Sequence, residues 1–256
     1  MHSPHADMPQ RAAELLAQLR ARAPKVHCIT NTVAQAFTAN VLLAAGGVPS
    51  MTLSAGEIGG FVARADALLV NLGTFDAERR AGVEAALEAA RKHRQPWVLD
   101  PVFVERSAPR LDYARALVAR GPAVVRLNAA EFEALAGAAA QREAAMAYAR
   151  DHGVVVALSG RTDLVTDGTR AITIANGHPL MAKVTAMGCA GSALLAACLA
   201  LERDAVRASA SALIILGVAG ELAARQAKGP GSFAVAILDT LYGLDAEALA
   251  AHAKVS

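Results

Sequence analysis

Short apolar runs rich in β-branched residues alternate along the chain with longer stretches whose apolar positions recur at helical spacing. The runs Val26–Thr30, Val48–Leu53, Ala67–Leu72, Trp97–Asp100, Ala123–Asn128 and Val154–Ser159 predict strands. Gln35–Ala45 and Ala77–His93 predict helices between them. In the second, Ala81, Ala85 and Ala89 stack on one face, leaving Arg79, Glu84, Glu88 and Arg91 outside. Continuous apolar strands joined by helical crossovers imply a parallel sheet covered on both faces. Two further runs, Leu164–Thr166 and Ala171–Ala175, are split by the turn signal Asp167-Gly168 and predict an antiparallel edge. Beyond them the pattern turns helical at Gly188–Leu201, Ala205–Ala224 and Ala246–Ala253. The expected fold is α/β: a three-layer α/β/α sandwich, its central sheet mostly parallel with an antiparallel edge.

Composition narrows the class. With 256 residues, 54% of them hydrophobic and 19% charged, the chain is too apolar for disorder. The length suits one domain over residues 1–256, with residues 1–23 as an N-terminal helical extension. A formal charge of +2 gives no broad footprint for nucleic acid or an anionic membrane. The uncharged run Val184–Leu201 is long enough to raise a membrane span, but its small residues suit a buried helix. Met1–Gln10 lacks the basic start and apolar run of a signal peptide. Cys28, Cys189 and Cys198 form an odd set without C-x-x-C spacing, which argues against a disulfide framework and suits a reducing cytoplasm.

No lysine is followed by Ser or Thr, so a Walker A loop is absent, and no G-x-S-x-G or H-E-x-x-H is present. Ligands of open α/β sheets sit beyond the carboxyl ends of the strands, so the polar residues there carry the chemistry. Strand ends supply Thr30-Asn31, Asp100-Pro101, Arg126-Leu127-Asn128 with Glu131, and Ser159-Gly160; Lys183-Val184-Thr185 leads into Gly188-Cys189 at a helix start. Each has a structural alternative. Asp before Pro caps turns, Asn128 with Glu131 reads as a capping box, and Cys189 as a small buried hydrophobe. Jointly they suggest phosphoryl transfer: free helix N–H groups for an anion, Asp100 and Glu131 for Mg²⁺, and Cys189 as a weak base with a pKa lowered at a helix N-terminus.

The same residues carry a resemblance. Val26–Asn31 with Phe37–Asn40, Pro49–Met51, Asn71–Thr74, Leu99–Val102, Arg126–Glu131, Lys183–Thr185 into Gly188-Cys189, and Lys228–Phe233 together resemble the hydroxyethylthiazole kinase family of the ribokinase-like superfamily. The resemblance implies a ribokinase-like fold and ATP- and Mg²⁺-dependent phosphorylation of the primary alcohol of 4-methyl-5-(2-hydroxyethyl)thiazole, feeding thiamin phosphate synthesis. It places ATP on Arg126 and Ser159, with the helix start at Gly188 as its anion site, Mg²⁺ on Glu131 and Asn128 with Asp100 in the same acidic surroundings, and the thiazole against Asn31, Val33, Met51 and Ala186, with Cys189 beside the reacting hydroxyl. It further implies a cytoplasmic homotrimer with sites between subunits. That suits Thr32–Ser54, which carries no charged residue, although interior packing would give the same composition.

Five features depart from the family pattern. Ala186 stands where Gly is usual, Leu127 separates Arg from Asn where Gly is common, Phe103–Arg106 replaces a Gly-rich stretch, the segment between Glu131 and Val154 is shorter than usual, and Ser159 replaces Thr. These leave open a kinase of another small alcohol, of pyrimidine or pyridoxal type, or a ligand-binding homologue of weak activity.

Overall fold

The computed structural model describes residues 7–256; the first six residues of the expected N-terminal extension and most of Met1–Gln10 lie outside them. In chain order the elements are α1 (Met8–Arg22), β1 (Lys25–Ile29), α2 (Gln35–Ala45), β2 (Val48–Ser50), α3 (Ile58–Val62), β3 (Ala67–Asn71), α4 (Ala77–His93) and β4 (Trp97–Asp100). They continue with α5 (Ala108–Val118), β5 (Val124–Asn128), α6 (Ala129–Ala136), α7 (Arg142–His152), β6 (Val155–Ser159), β7 (Asp163–Thr166) and β8 (Ala171–Ile174). The chain ends with α8 (Met187–Leu199), α9 (Ala205–Gln226), α10 (Pro230–Gly243) and α11 (Ala246–His252).

The eight strands form one sheet in the order β2-β1-β3-β4-β5-β6-β7-β8. Pairing is parallel from β2 through β6 and antiparallel for β6-β7 and β7-β8. Alternation along each strand builds two cores. Val26, Cys28, Leu69, Val98, Val124 and Ala157 pack beneath α1, α2, α8 and α9. Their neighbours Ile29, Leu68, Val70, Leu99, Val125 and Val156 pack beneath α4, α5, α6 and α7. This two-faced burial makes the three layers, as the continuous apolar strands predict. All five helices from α3 to α7 lie on one face, so the sheet's central carboxyl edge is left for α8 to close.

Two expectations need correction. Val48–Leu53 pairs only through Ser50: Pro49 lacks an N–H, which confines β2 to the sheet edge, and the chain then turns away. On α4 the buried face is Val83, Ala86, Leu87 and Ala90 rather than Ala81, Ala85 and Ala89. The larger side chains claim the core, leaving Ala81 exposed and Ala85 and Ala89 half-buried. Val184–Leu201 becomes α8, whose residues are buried from Cys189 to Leu199. Among the described residues, α9 alone is long and apolar enough to cross a membrane, and 78% of its apolar window is buried in this fold. At the far edge, Val255 bridges Ile174 and Ser256 exchanges backbone hydrogen bonds with Thr173, so the C-terminal residues cover β8.

Candidate active site

The parallel strands bring their carboxyl ends to one edge in register, with Asn71 beside Asp100 and Asn128 beside Ser159. Asp100 ends β4 and is buried. Burial pushes its carboxyl up, opposed by the charge of Arg126 and by hydrogen bonds from Ser192 and Asn71. Asn71 Nδ2 donates to Asp100 Oδ2 at 2.8 Å, and Ser192 Oγ donates to the same oxygen at 2.8 Å.

Asn128 and Glu131 realise the capping box in full. Glu131 N–H donates to Asn128 Oδ1 at 3.0 Å, and Asn128 N–H donates to Glu131 Oε2 at 2.9 Å. The other oxygen, Glu131 Oε1, accepts from Phe103 N–H at 3.1 Å. Burial pushes this carboxyl up as well, and the charge of Asp100 adds to it. Each oxygen of Glu131 retains a lone pair, so the cap does not exhaust it as a ligand.

Arg126 runs beneath the first turn of α8, where Nη1 donates to Gly188 O at 2.9 Å. A Cβ at Gly188 would meet that same nitrogen at 3.1 Å, which explains the glycine there. Among the described residues, the amides of Gly188 and Cys189 have no acceptor, as expected of N1–N3 positions in a helix without a side-chain cap. Arg126, Ser159 and Gly188 line one cavity of about 740 Å³, together with Asp163, Asn176 and Met187. Ser159 Oγ donates to Leu127 O at 3.2 Å.

Cys189 is buried beside Asn31, whose Nδ2 donates to its sulfur at 3.4 Å. Asn31 Oδ1 is sealed from solvent and takes no donor. A Cβ on Gly73 would lie 2.5 Å from Asn31 Nδ2, so only glycine lets this amide sit over the end of β1. The expected lowering of the Cys189 pKa is overturned: burial pushes the thiol up to about 11, and the charge of Asp100 acts in the same direction. The helix N-terminus does not offset loss of water around a thiolate.

The thiazole-side residues are less gathered. Ala186 caps α8 in the left-handed region, at φ 72°. Val33 is 76% exposed on the turn after β1, and half-buried Met51 follows β2. Neither lines the cavity that holds Arg126, Ser159 and Gly188.

Three further residues contribute that the strand-end motifs leave out. Asn71 ends β3 just as Asp100 ends β4, so the same signal identifies it. Ser192 lies one helical turn beyond Gly188, and only the packing of α8 over β4 brings it to Asp100. Asp163 opens β7 and accepts from Gly160 N–H at 2.9 Å, holding the turn that borders the cavity.

The two buried carboxylates need positive charge, and Arg126 is the cation that opposes both pKa shifts. No group of three or more His, Cys, Asp or Glu side chains forms a metal cage among the described residues. That donor set fits magnesium, which takes one or two carboxylates and completes its shell with water and phosphate oxygens.

Comparison with known proteins identifies the family of the chain. The profile of the Hydroxyethylthiazole kinase family matches residues 16–247. A probable hydroxyethylthiazole kinase of Agrobacterium fabrum is 47% identical over 246 residues, covering 96% of this chain and 94% of that protein. The solved hydroxyethylthiazole kinase protein from Pyrococcus horikoshii OT3 superposes with a TM-score of 0.92 at 36% identity, covering 96% of this chain and 98% of its own. A ribokinase-like superfamily protein from Enterococcus faecalis V583 matches at a TM-score of 0.68 and 15% identity, over 88% of both chains, and supports the fold alone.

Proposed function

The chain belongs to the hydroxyethylthiazole kinase family, and from that premise we propose that this edge of the sheet transfers the γ-phosphoryl group of ATP to the primary alcohol of 4-methyl-5-(2-hydroxyethyl)thiazole. The observation that carries the reading is the start of α8: two acceptor-free amides, Arg126 beneath them and Cys189 beside them, above two buried carboxylates. Charge spreads over the oxygens of a transferring phosphoryl group, and preorganised donors in a water-poor site stabilise it.

ATP occupies the cavity lined by Arg126, Ser159 and Gly188 in this reading. Asp100 and Glu131 would hold Mg²⁺, with Asn128 at the same strand end, and the ion would neutralise phosphate charge. The alcohol oxygen bonds to the γ-phosphorus while the bond to the β–γ bridging oxygen breaks, its electron pair leaving with ADP. The alcohol proton passes to Cys189 in its thiolate form. Asn31 orients that sulfur through its Nδ2.

Val33 and Met51, with Ala186, are assigned to the thiazole. Val33 and Met51 do not line the nucleotide cavity, which supports sites closed by a second subunit in a homotrimer. Exposed Val33, Leu43, Val48 and Phe61 supply an apolar face for such contact. Three unpaired cysteines suit a cytoplasmic setting, where ATP is also present.

A mass-resolved assay with ATP and Mg²⁺ tests the activity on hydroxyethylthiazole beside hydroxymethylpyrimidine and pyridoxal. Thiazole phosphate is expected to form in preference to the others. Phosphorylation of a competing alcohol instead, or binding without product, would reassign the site. Arg126→Ala is expected to raise the KM for ATP about tenfold or more, as for a lost charge-assisted contact; an unchanged KM would remove Arg126 from the nucleotide site.

A further inference from the structure

Ser192 is an unusual serine. Within a helix, a serine hydroxyl ordinarily donates back to the carbonyl one turn earlier, as Ser209 Oγ does to Ala205 O at 2.6 Å. The corresponding acceptor for Ser192, Gly188 O, lies 3.3 Å away, whereas Asp100 Oδ2 lies at 2.8 Å. A hydroxyl has one proton to donate, and the shorter distance assigns it to the carboxylate. Asn71 approaches the same oxygen from β3, and its own carbonyl is fixed by Gly73 N–H at 3.0 Å. All three side chains are buried.

Both donors therefore converge on Oδ2. Asp100 Oδ1 takes no hydrogen bond from the chain and is not among the buried polar atoms sealed from solvent. Turning the carboxylate about its Cβ–Cγ bond would break both contacts at once and leave two buried donors unsatisfied. The clamp also ties β4 to β3 on one side and to the second turn of α8 on the other.

We propose that Asn71 and Ser192 are positioning residues that hold Asp100 with one oxygen saturated and the other, Oδ1, offered to the magnesium of the ATP complex. This rests on the kinase reading above, and it assigns two residues that act through Asp100. Neutral donors are suited to this role because they fix the carboxylate while leaving its negative charge available to the metal, which a second cation at this position would cancel. Loss of such outer partners costs about ten- to a hundredfold in metal affinity or turnover.

The test measures Mn²⁺ binding by electron paramagnetic resonance in the presence of a non-hydrolysable ATP analogue, alongside kinetics at varied Mg²⁺. Ser192→Ala and Asn71→Ala are each expected to weaken Mn²⁺ binding and lower kcat by about tenfold or more, with the KM for hydroxyethylthiazole unchanged. Ser192→Thr retains the hydroxyl and is expected to restore Mn²⁺ affinity to near the wild-type value. In an Asp100→Asn background, Ser192→Ala should have no further effect on Mn²⁺ affinity, because its route of action is gone. Thermal melting checks that each variant folds, and Asn71→Ala keeps the question answerable if the α8 substitutions disturb packing. Absence of thiazole phosphorylation by the wild-type protein would remove the kinase reading. With that activity intact, unchanged Mn²⁺ affinity in both alanine variants, or equal losses with and without Asp100, would overturn the clamp alone.

Discussion

Cys189 needs its thiolate form to take a proton, yet burial holds the thiol at about 11, so only a small fraction is ionised near neutral pH. Below that pKa the thiolate fraction rises tenfold per pH unit, so kcat is expected to climb with a slope near one between about pH 7 and 10. Cys189→Asp replaces a thiol, ordinarily near 9, by a carboxyl, ordinarily near 4, which carries its charge at far lower pH. That variant is expected to keep or exceed the wild-type kcat at pH 7.5 and to lose the slope, while Cys189→Ala loses activity. A large loss in the aspartate variant would withdraw the base assignment. Ala186 is a separate matter of backbone strain: an L-residue in the left-handed region costs about 1–2 kcal/mol, which glycine avoids. Ala186→Gly is expected to gain about 1 kcal/mol after its own entropic cost, raising Tm by about 2–4 °C. Calorimetry checks it. Much of the site is legible in the sequence at this scale because the chemistry-bearing residues end strands, and parallel strands end together. Ser192 is not, since nothing in a serine's spacing tells whether its proton goes to the helix or to a carboxylate from another strand. The Cys189 pKa departs from its sequence expectation for a related reason: the helix N-terminus is written in the sequence, whereas the depth of burial depends on what packs around it.

Among the elements, β2 shows how a short edge strand is held where its ladder is weak. Pro49 leaves it without one donor, and three pairs join it to β1. His27 compensates from within β1: Nε2 donates to Thr52 O at 3.0 Å and Nδ1 accepts from Ser50 Oγ at 2.8 Å, bracketing Met51. Burial pushes the His27 pKa down, which favours the neutral imidazole in which one ring nitrogen accepts. A depressed histidine contributes stability that is present above its unfolded pKa, about 6.5, and is lost as the pH falls below that value toward its folded pKa. Urea unfolding is expected to show stability dropping as the pH falls below about 6.5, and His27→Gln to remove that part of the decline. An unchanged profile would mean that the imidazole charges without disturbing β2. The same strand marks where pattern reading stops. Val48–Leu53 is one apolar run to the eye, but whether Met51–Leu53 pairs depends on a neighbour's side chain. On α4, alanines give periodicity without saying which face is inward, because the cost of exposing a methyl is small beside that of Val83 or Leu87. The long apolar strands and α9 are legible because apolar residues dominate their buried lengths.

At the scale of the molecule, the cavity assigned to the nucleotide is lined by Arg126, Ser159 and Gly188 of a single chain, whereas Val33 and Met51, assigned to the thiazole, lie outside its lining. Val33, Leu43, Val48 and Phe61 are 76%, 58%, 43% and 44% exposed, all within the first quarter of the chain. Beside β2, a cavity of about 240 Å³ is walled by Val48, Pro49, Phe61 and Ala65, with Lys25 and Arg64 at its margin. An apolar centre with charge at the rim is the anatomy of a subunit interface, and an open strand edge exposed next to it is otherwise a liability. Leu43→Glu separates the alternatives, because an exposed position on α2 carries little weight in an isolated chain, within about 0.5 kcal/mol. If the face joins subunits, light scattering is expected to give a trimer for the wild type and a smaller species for this variant. The thiazole KM should then rise with dissociation, since Val33 and Met51 would no longer meet a neighbour, while ATP binding persists in the cavity lined by one chain. A wild-type monomer with full activity would instead require the thiazole pocket to close within one chain, and Val33 would then lose its assigned contact.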